Sequence, residues 1–232
     1  FLNDLEIENV ILNGNIKLIG RVNDEPINNL NEQVLLRKRF WIAASTHESE
    51  ETFCLKTHLK IKQKYNDIVT IIFPRHIKRV KQIKKLGEDF GLNSQILNKG
   101  EKILENKEIV IVNTFGELQK YFYFAKSVFI GKSLIKKLQN EGGQNPIEAA
   151  KLGCKIYHGP FVYNFKEIYE IFGNLGISTK VKDHEELHYF LLRDLESITK
   201  SKNDMSDLIN NLEKKVLKDT MKNINKILPN DI

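Results

Sequence analysis

Four short polar clusters in this chain follow apolar runs or open apolar helices, where side chains and free backbone N–H groups could hold an anion. Ser45-Thr46-His47-Glu48 follows the run 40–44, and Pro74-Arg75-His76 follows the run 68–73. Thr114-Phe115-Gly116-Glu117 follows 109–112, and Gly142-Gly143-Gln144-Asn145-Pro146-Ile147-Glu148 opens an apolar helical stretch. An arginine such as Arg75 can grip phosphate or carboxylate through two parallel hydrogen bonds. The glycine pair lets backbone approach a ligand closely, and the helix after it offers N–H groups to negative charge. Each cluster also has a plain structural use. Ser45, Thr46 or Thr114 can cap a helix, Arg75 can be a surface residue, and Glu148 suits the first turn of a helix dipole. A diglycine before a helix says little alone; four such clusters together point to a nucleotide-like anionic ligand.

The elements that must position them alternate regularly. The run 40–44 predicts a buried strand, followed by a helix from about 48 to 64 with Phe53, Leu55, Leu59 and Ile61 as its apolar positions. A β-branched strand at 68–73 is closed by Pro74, and Ile77, Val80 and Ile83 mark the next helix. Strands at 109–112 and 128–130 enclose a helix at 117–124, and a helix at 146–152, with Pro146 in its first turn, leads to a strand at 155–157. Continuous apolar strands alternating with helices predict an α/β fold, a doubly wound parallel sheet of Rossmann-like type covered on both faces. In such a sheet, ligands bind beyond the carboxyl ends of the strands, which is where the clusters fall. Residues 1–39, with a short strand Val10-Ile11-Leu12, Gly14-Asn15 and a polar stretch around Pro26, have the character of a connector from another domain. Residues 40–202 form the ligand-binding domain. In 203–232, Met205, Leu208, Ile209, Leu212, Val216 and Ile224 give a helix one apolar stripe. Lys214, Lys218, Lys222 and Lys226 run beside it, either as a solvated face or as a contact for an anionic membrane.

Composition narrows the classes. With 232 residues and 41% apolar content the chain can build a sizeable core. No run approaches the ~18 apolar residues of a membrane-spanning helix. There is no secretory signal, and a start at Phe1-Leu2-Asn3 suggests a piece of something longer. Cys54 and Cys154 sit in apolar surroundings as two buried, reduced thiols, and no Cys/His spacing suits zinc. The net charge of +6 is spread over many lysines that alternate with acidic residues. It permits nucleic acid, anionic lipid or phosphorylated ligands and selects none of them. No aromatic–basic platform of the kind single strands need is evident, which argues against a nucleic-acid partner.

Several motifs carry a family resemblance. WIAASTHESEE (41–51), PRH (74–76), TFGEL (114–118), GGQNPIEAA (142–150), and GP with NF (159–160 and 164–165) occur in the order seen in the Kdo (3-deoxy-D-manno-octulosonic acid) transferases of lipopolysaccharide core synthesis. The passage 10–17 also resembles the way that family's first domain leads into its second. The resemblance implies the GT-B arrangement of two Rossmann-like domains, with this chain as the C-terminal half that holds CMP-Kdo. The matching positions make Pro74, Arg75, Phe115, Gly116, Glu117, Asn145, Pro146, Ile147 and Glu148 the CMP-contacting residues, with Ser45, Thr46, His47, Gly142, Gly143 and Gln144 facing the donor. Arg75 and the Asn145 segment would meet the phosphate, and Glu148 the ribose hydroxyls. The resemblance further implies a lipid A precursor as acceptor, a parent enzyme at the cytoplasmic face of the bacterial inner membrane, and no metal or cofactor. The catalytic carboxylate belongs to the preceding domain, so no catalytic residue is expected here and the chain alone should be inactive. Gln144 stands where the family has His, Lys132 where it has Gly, and the loop 135–141 is longer. The alternatives are a GT-B domain for another sugar nucleotide, as in a UDP-sugar transferase or epimerase, and a basic nucleic-acid-binding module.

Overall fold

The computed structural model describes Ile11 and residues 13–20, 29–196 and 204–227; Val10, Leu12 and the stretch around Pro26 lie outside the described residues. Among the described residues seven strands pair in parallel: β1 (Phe40–Thr46), β2 (Val69–Pro74), β3 (Ser94–Leu97), β4 (Ile109–Val112), β5 (Ser127–Ile130), β6 (Lys155–His158) and β7 (Ser178–Lys180). Their order across the sheet is β3-β4-β2-β1-β5-β6-β7. From β1 the chain runs to β2 and out to the edge strand β3, steps back in to β4, then crosses over β1 to continue through β5, β6 and β7. The two halves therefore part between β1 and β5, and that switch point opens a crevice at the carboxyl ends of the strands.

The strand pleat sends alternate residues to two separate cores. Ile42, Ala44, Ile71, Phe73, Val110, Val112, Val128 and Ile130 pack on one face. There they meet α1 (Glu32–Arg37), α4 (Leu118–Phe122), α5 (Ile147–Lys151), α6 (Lys166–Asn174) and α8 (Asp204–Ile227), through Leu35, Phe122, Ile147, Phe172, Ile209 and Val216 among others. Trp41, Ala43, Ile72, Ile111, Phe129 and Tyr157 pack on the other. Their partners are α2 (Glu50–Lys62), α3 (Val80–Asp89) and α7 (His184–Asp194), which contribute Cys54, Leu55, Val80, Ile83, Leu187 and Leu191. Cys54 and Cys154 are both buried thiols outside any disulfide.

The doubly wound sheet expected from the sequence is therefore present, and several bounds move. β1 runs on to Thr46 with Ser45 in a left-handed conformation (φ 55°), where its register with β2 slips. α2 starts at Glu50 rather than 48, and a 3-10 turn (Ile77–Arg79) precedes α3. The segment expected to be a connector is partly built into the domain. Leu18 is fully buried, and Asn31 bonds to the Ile103 N–H (2.7 Å) and the Tyr121 hydroxyl (3.2 Å). Helix α8 lies on the 3-10 turn Ile16–Leu18 and on α5. A Cβ at Gly14 would stand 2.5 Å from a Val216 methyl, and Lys151 pairs with Glu213 at 2.5 Å.

Candidate functional site

Because β4, β2, β1 and β5 are neighbours, the loops leaving their carboxyl ends form one row. With adjacent strands ~4.8 Å apart, that row runs ~14 Å across the sheet. It carries Phe115 to Glu117 after β4, Arg75 and His76 after β2, His47 after β1, and Gly131 to Glu148 after β5.

The row is organised around Glu50, a residue that is 1% exposed. One carboxylate oxygen accepts the N–H groups of His47 (2.9 Å) and Lys132 (2.8 Å), and the other those of Ser133 (2.9 Å) and Leu134 (3.1 Å). Burial pushes its carboxyl above the ordinary range, and the four N–H donors pull it back. Four donors require both oxygens to accept, which the ionised form does. These bonds clamp the exit of β1 to the exit of β5, the two sides of the switch point. The same crossing demands Gly131, where a Cβ would lie 2.6 Å from the Ser45 carbonyl oxygen and 2.8 Å from Thr46 Cα. Ser133 continues the tie: its hydroxyl donates to the Ile130 carbonyl (2.6 Å) and accepts the Gly159 N–H (2.9 Å). Glu50 has no free lone pair to serve as a base; it is scaffolding.

Basic groups gather on this frame. Arg79 is paired with the Glu51 carboxylate. Arg75 is exposed and its guanidinium has no partner among the described residues, although its N–H donates to the Thr46 carbonyl (2.9 Å) and fixes its backbone. His47 is half-buried, with Nδ1 3.1 Å from the Ser45 carbonyl and its ring edge-on to His76 at 5.6 Å. Burial lowers its pKa most, the Ser45 carbonyl opposes, and the charges of His76, Lys132 and Arg75 lower it further. β1, β2 and β5 thus bring four basic side chains into one crevice. Lys132 holds a left-handed backbone (φ 56°) at its mouth, 3.6 Å from Glu141.

The other expected site residues fall out unevenly. Thr46 is fully buried, so of Ser45, Thr46 and His47 only the first and last reach the crevice surface. Neither Ser45 nor Thr46 caps α2, whose N-cap position is Ser49, and Thr114 does not cap α4, which Glu117 precedes. Pro74, Pro146 and Ile147 are buried. The Ile147 N–H is already taken by the Asn145 side chain (2.9 Å), so it is not free for a phosphate. Asn145 and Glu148 are exposed, and Gln144 is half-buried with its carbonyl accepting the Tyr169 hydroxyl (3.0 Å). Gly142 and Gly143 admit a close approach, but by this chain's own backbone: added Cβ atoms would lie 2.4 Å from the Phe161 carbonyl oxygen and 2.8 Å from Val162 Cα. On the far side of the row, Gly116 is left-handed (φ 80°), Phe115 is 70% exposed, and Glu117 pairs with Lys120 at 3.0 Å. A cavity of about 230 Å³ lies beside it, lined by Thr114, Glu117, Asn98 and Tyr121. Among the described residues, no group of three His, Cys, Asp or Glu is placed to hold a metal ion.

Sequence pattern alone does not single out Glu50, Gly131 or Ser133 as site residues. Glu50 resembles any acid in a first helical turn, and only the long-range pairing of β1 with β5 reveals its partners.

No protein-family profile matches the chain. It is 30% identical over 199 residues to the 3-deoxy-D-manno-octulosonic acid transferase of Haemophilus influenzae, covering 82% of this chain and 45% of that protein. The enzymes of that name from Rickettsia bellii and Aquifex aeolicus are 29% and 27% identical, over 98% and 66% of this chain and 54% and 41% of their own lengths. The chain thus spans about half the length of these relatives. Among solved structures it superposes on the C-terminal CMP-Kdo binding domain of WaaA from Acinetobacter baumannii with a TM-score of 0.63. That match has 21% identity and covers 81% of this chain and 92% of that domain. A trehalose 6-phosphate synthase from Burkholderia multivorans shares the fold at a TM-score of 0.52 and 8% identity, over 84% of this chain and 44% of that one.

Proposed function

Since the chain belongs to the 3-deoxy-D-manno-octulosonic acid transferases, we propose that it is the half of such an enzyme that holds the donor, CMP-Kdo. The parent enzyme would transfer Kdo to a lipid A precursor in lipopolysaccharide synthesis, at the cytoplasmic face of the inner membrane and without a metal. Among the described residues, no helix is long and apolar enough to cross a membrane. Transfer breaks the bond between the sugar's anomeric carbon and the phosphate oxygen, leaving negative charge on CMP. Arg75, with His47, His76 and Lys132 beside it, would receive that charge, and Asn145 and Glu148 would hold the phosphate and ribose from the β5 side. The group that removes the acceptor hydroxyl's proton would come from the half of the enzyme outside this chain.

The observation that carries the reading is the unpaired Arg75, backbone-fixed at the centre of a strand-end row, in a chain that superposes on a CMP-Kdo binding domain. A charge-assisted hydrogen bond to phosphate typically contributes ~1.5–3 kcal/mol. Arg75→Ala should therefore weaken CMP binding about ten- to a hundredfold with little change in thermal stability. Arg75→Lys should restore only part, because a point charge cannot reproduce the two-pronged contact. Calorimetric titration of CMP and UDP into the three proteins tests this. Equal CMP affinity in all three removes Arg75 from the site, and a preference for UDP favours a different sugar nucleotide.

A further inference from the structure

A second cleft lined by described residues lies outside this row. It holds about 500 Å³ at the carboxyl ends of β6 and β7, behind the loop that packs on Gly142 and Gly143. That volume falls within the ~300–1,000 Å³ of small-molecule sites. Its floor is His158, 6% exposed, with its ring 4.3 Å from that of Tyr169. His158 Nδ1 lies 2.7 Å from the Gly159 carbonyl oxygen, so that nitrogen carries the proton and donates. Nε2 is then left as a lone-pair acceptor, and it has no partner among the described residues. Burial, aided by the charge of Lys180 and opposed by the Gly159 carbonyl, lowers the ring's pKa to about 4, which keeps that lone pair free at neutral pH.

Lys180 stands in direct register with His158 across the β6–β7 pair, so both side chains emerge on one face. It is exposed and its ammonium has no carboxylate partner among the described residues, whereas Lys166 at the same cleft faces Glu170 at 3.9 Å. Tyr163, 65% exposed, offers an aromatic wall, and Gln139 brings the long 135–141 loop to the lining. An acceptor nitrogen needs a ligand O–H or N–H, a free ammonium needs an anion, and aromatic walls suit the C–H face of a sugar ring.

We propose that this cleft binds a small hydroxylated anion, a sugar acid or sugar phosphate, which sets its acidic group on Lys180 and donates a hydroxyl to His158 Nε2. The site is separate from the nucleotide row and does not depend on its assignment. The ligand's wall and the donor loop share a seam, because the Tyr169 hydroxyl donates to the Gln144 carbonyl (3.0 Å).

The test is calorimetric and saturation-transfer titration of the whole 232-residue chain with D-glucuronate, D-glucose 6-phosphate and D-glucose, with and without saturating CMP. At least one charged sugar should bind with a Kd of about 1 mM or tighter, and glucose should bind at least tenfold more weakly. Lys180→Gln and Tyr163→Ala, both at exposed positions where folding should survive, should weaken the charged sugar at least fivefold. CMP should not displace it. Absence of binding by both charged sugars overturns the proposal, as does affinity unchanged by Lys180→Gln. Displacement by CMP overturns it too, by making the cleft part of the donor site. Sugar binding in a protein that ignores CMP would sustain this site and sink the donor assignment instead.

Discussion

Replacing Glu50 with glutamine changes one oxygen into an NH2 group and nothing else in shape. Each carboxylate oxygen accepts two backbone N–H groups, His47 and Lys132 on one, Ser133 and Leu134 on the other. Whichever way the amide turns, two of these four donors meet a donor. Hydrogen bonds to a charged group contribute ~1.5–3 kcal/mol each, so losing two costs about 3–6 kcal/mol. Set against the ~5–15 kcal/mol stability of a typical domain, that is a large share. Urea unfolding followed by tryptophan fluorescence measures it directly, since Trp41 lies in β1, the strand that leads into this clamp. Glu148→Gln, on an exposed side chain of the same region, is the control and should stay within ~0.5 kcal/mol. CMP affinity should also fall in Glu50→Gln, measured where the protein remains folded, because the loops carrying His47 and Lys132 lose their shared anchor. A Glu50→Gln protein as stable as the parent would falsify the clamp and return Glu50 to the role of an ordinary first-turn acid.

Acid should unfold the protein steeply. His58 and His158 are held near a pKa of about 4 by burial against an ordinary 6.5, so each contributes stability in full above pH 6.5 that is lost as pH falls toward 4. The gap is worth ~3 kcal/mol per imidazole, and His58→Gln should flatten the slope of stability against pH in that window. Lys132→Gly should stabilise the fold by about 1 kcal/mol in urea, because it removes a side chain from a left-handed position; a loss of stability would show that the Lys132–Glu141 contact outweighs the strain. On α8, Lys214 and Lys218 are exposed beside Leu217 and Met221, themselves 44% and 46% exposed. The chain should sediment with anionic vesicles at low salt, and changing Lys214, Lys218, Lys222 and Lys226 to Gln should abolish this; equal sedimentation by both proteins would leave the row a solvated face.

The central strands were legible because each is a run of β-branched or aromatic residues buried on both sides, a pattern no surface element shares. β3 (Ser-Gln-Ile-Leu) and β7 (Ser-Thr-Lys) were not, since edge strands need apolar residues on fewer positions and these have two and none. The helix ends moved for a related reason. Ser45 and Thr46 have the chemistry of caps, but pairing of Thr46 with Pro74 of β2 draws them into the strand, and α2 cannot begin until the chain has turned at Ser49. The strand-end clusters were visible as residue types; which of them meet was not, because that depends on β4, β2, β1 and β5 being neighbours.

The glycines and acids around the switch point show how far a motif's spelling can mislead about its use. Gly131, Gly142, Gly143 and Gly159 each sit where a Cβ would strike backbone within 3 Å, and in every case that backbone belongs to this chain rather than to a ligand. Glu50 is spent in the same way, on four N–H groups that would otherwise be free at the crevice. Among the described residues Trp41 Nε1, Thr46 Oγ1, His58 Nε2 and Thr220 Oγ1 are sealed in without a partner, whereas the unpartnered groups that line an opening include Arg75 at the end of β2, and His158 Nε2 with Lys180 at the ends of β6 and β7. A folded chain satisfies its buried polar groups wherever it can. A charge fixed by its backbone and left without a counter-charge, or an acceptor nitrogen without a donor where a cleft opens onto it, is therefore where a ligand can supply what the fold does not. By that criterion the nucleotide row rests on Arg75 more than on the diglycine, and the cleft beyond it is distinguished by His158 rather than by its volume.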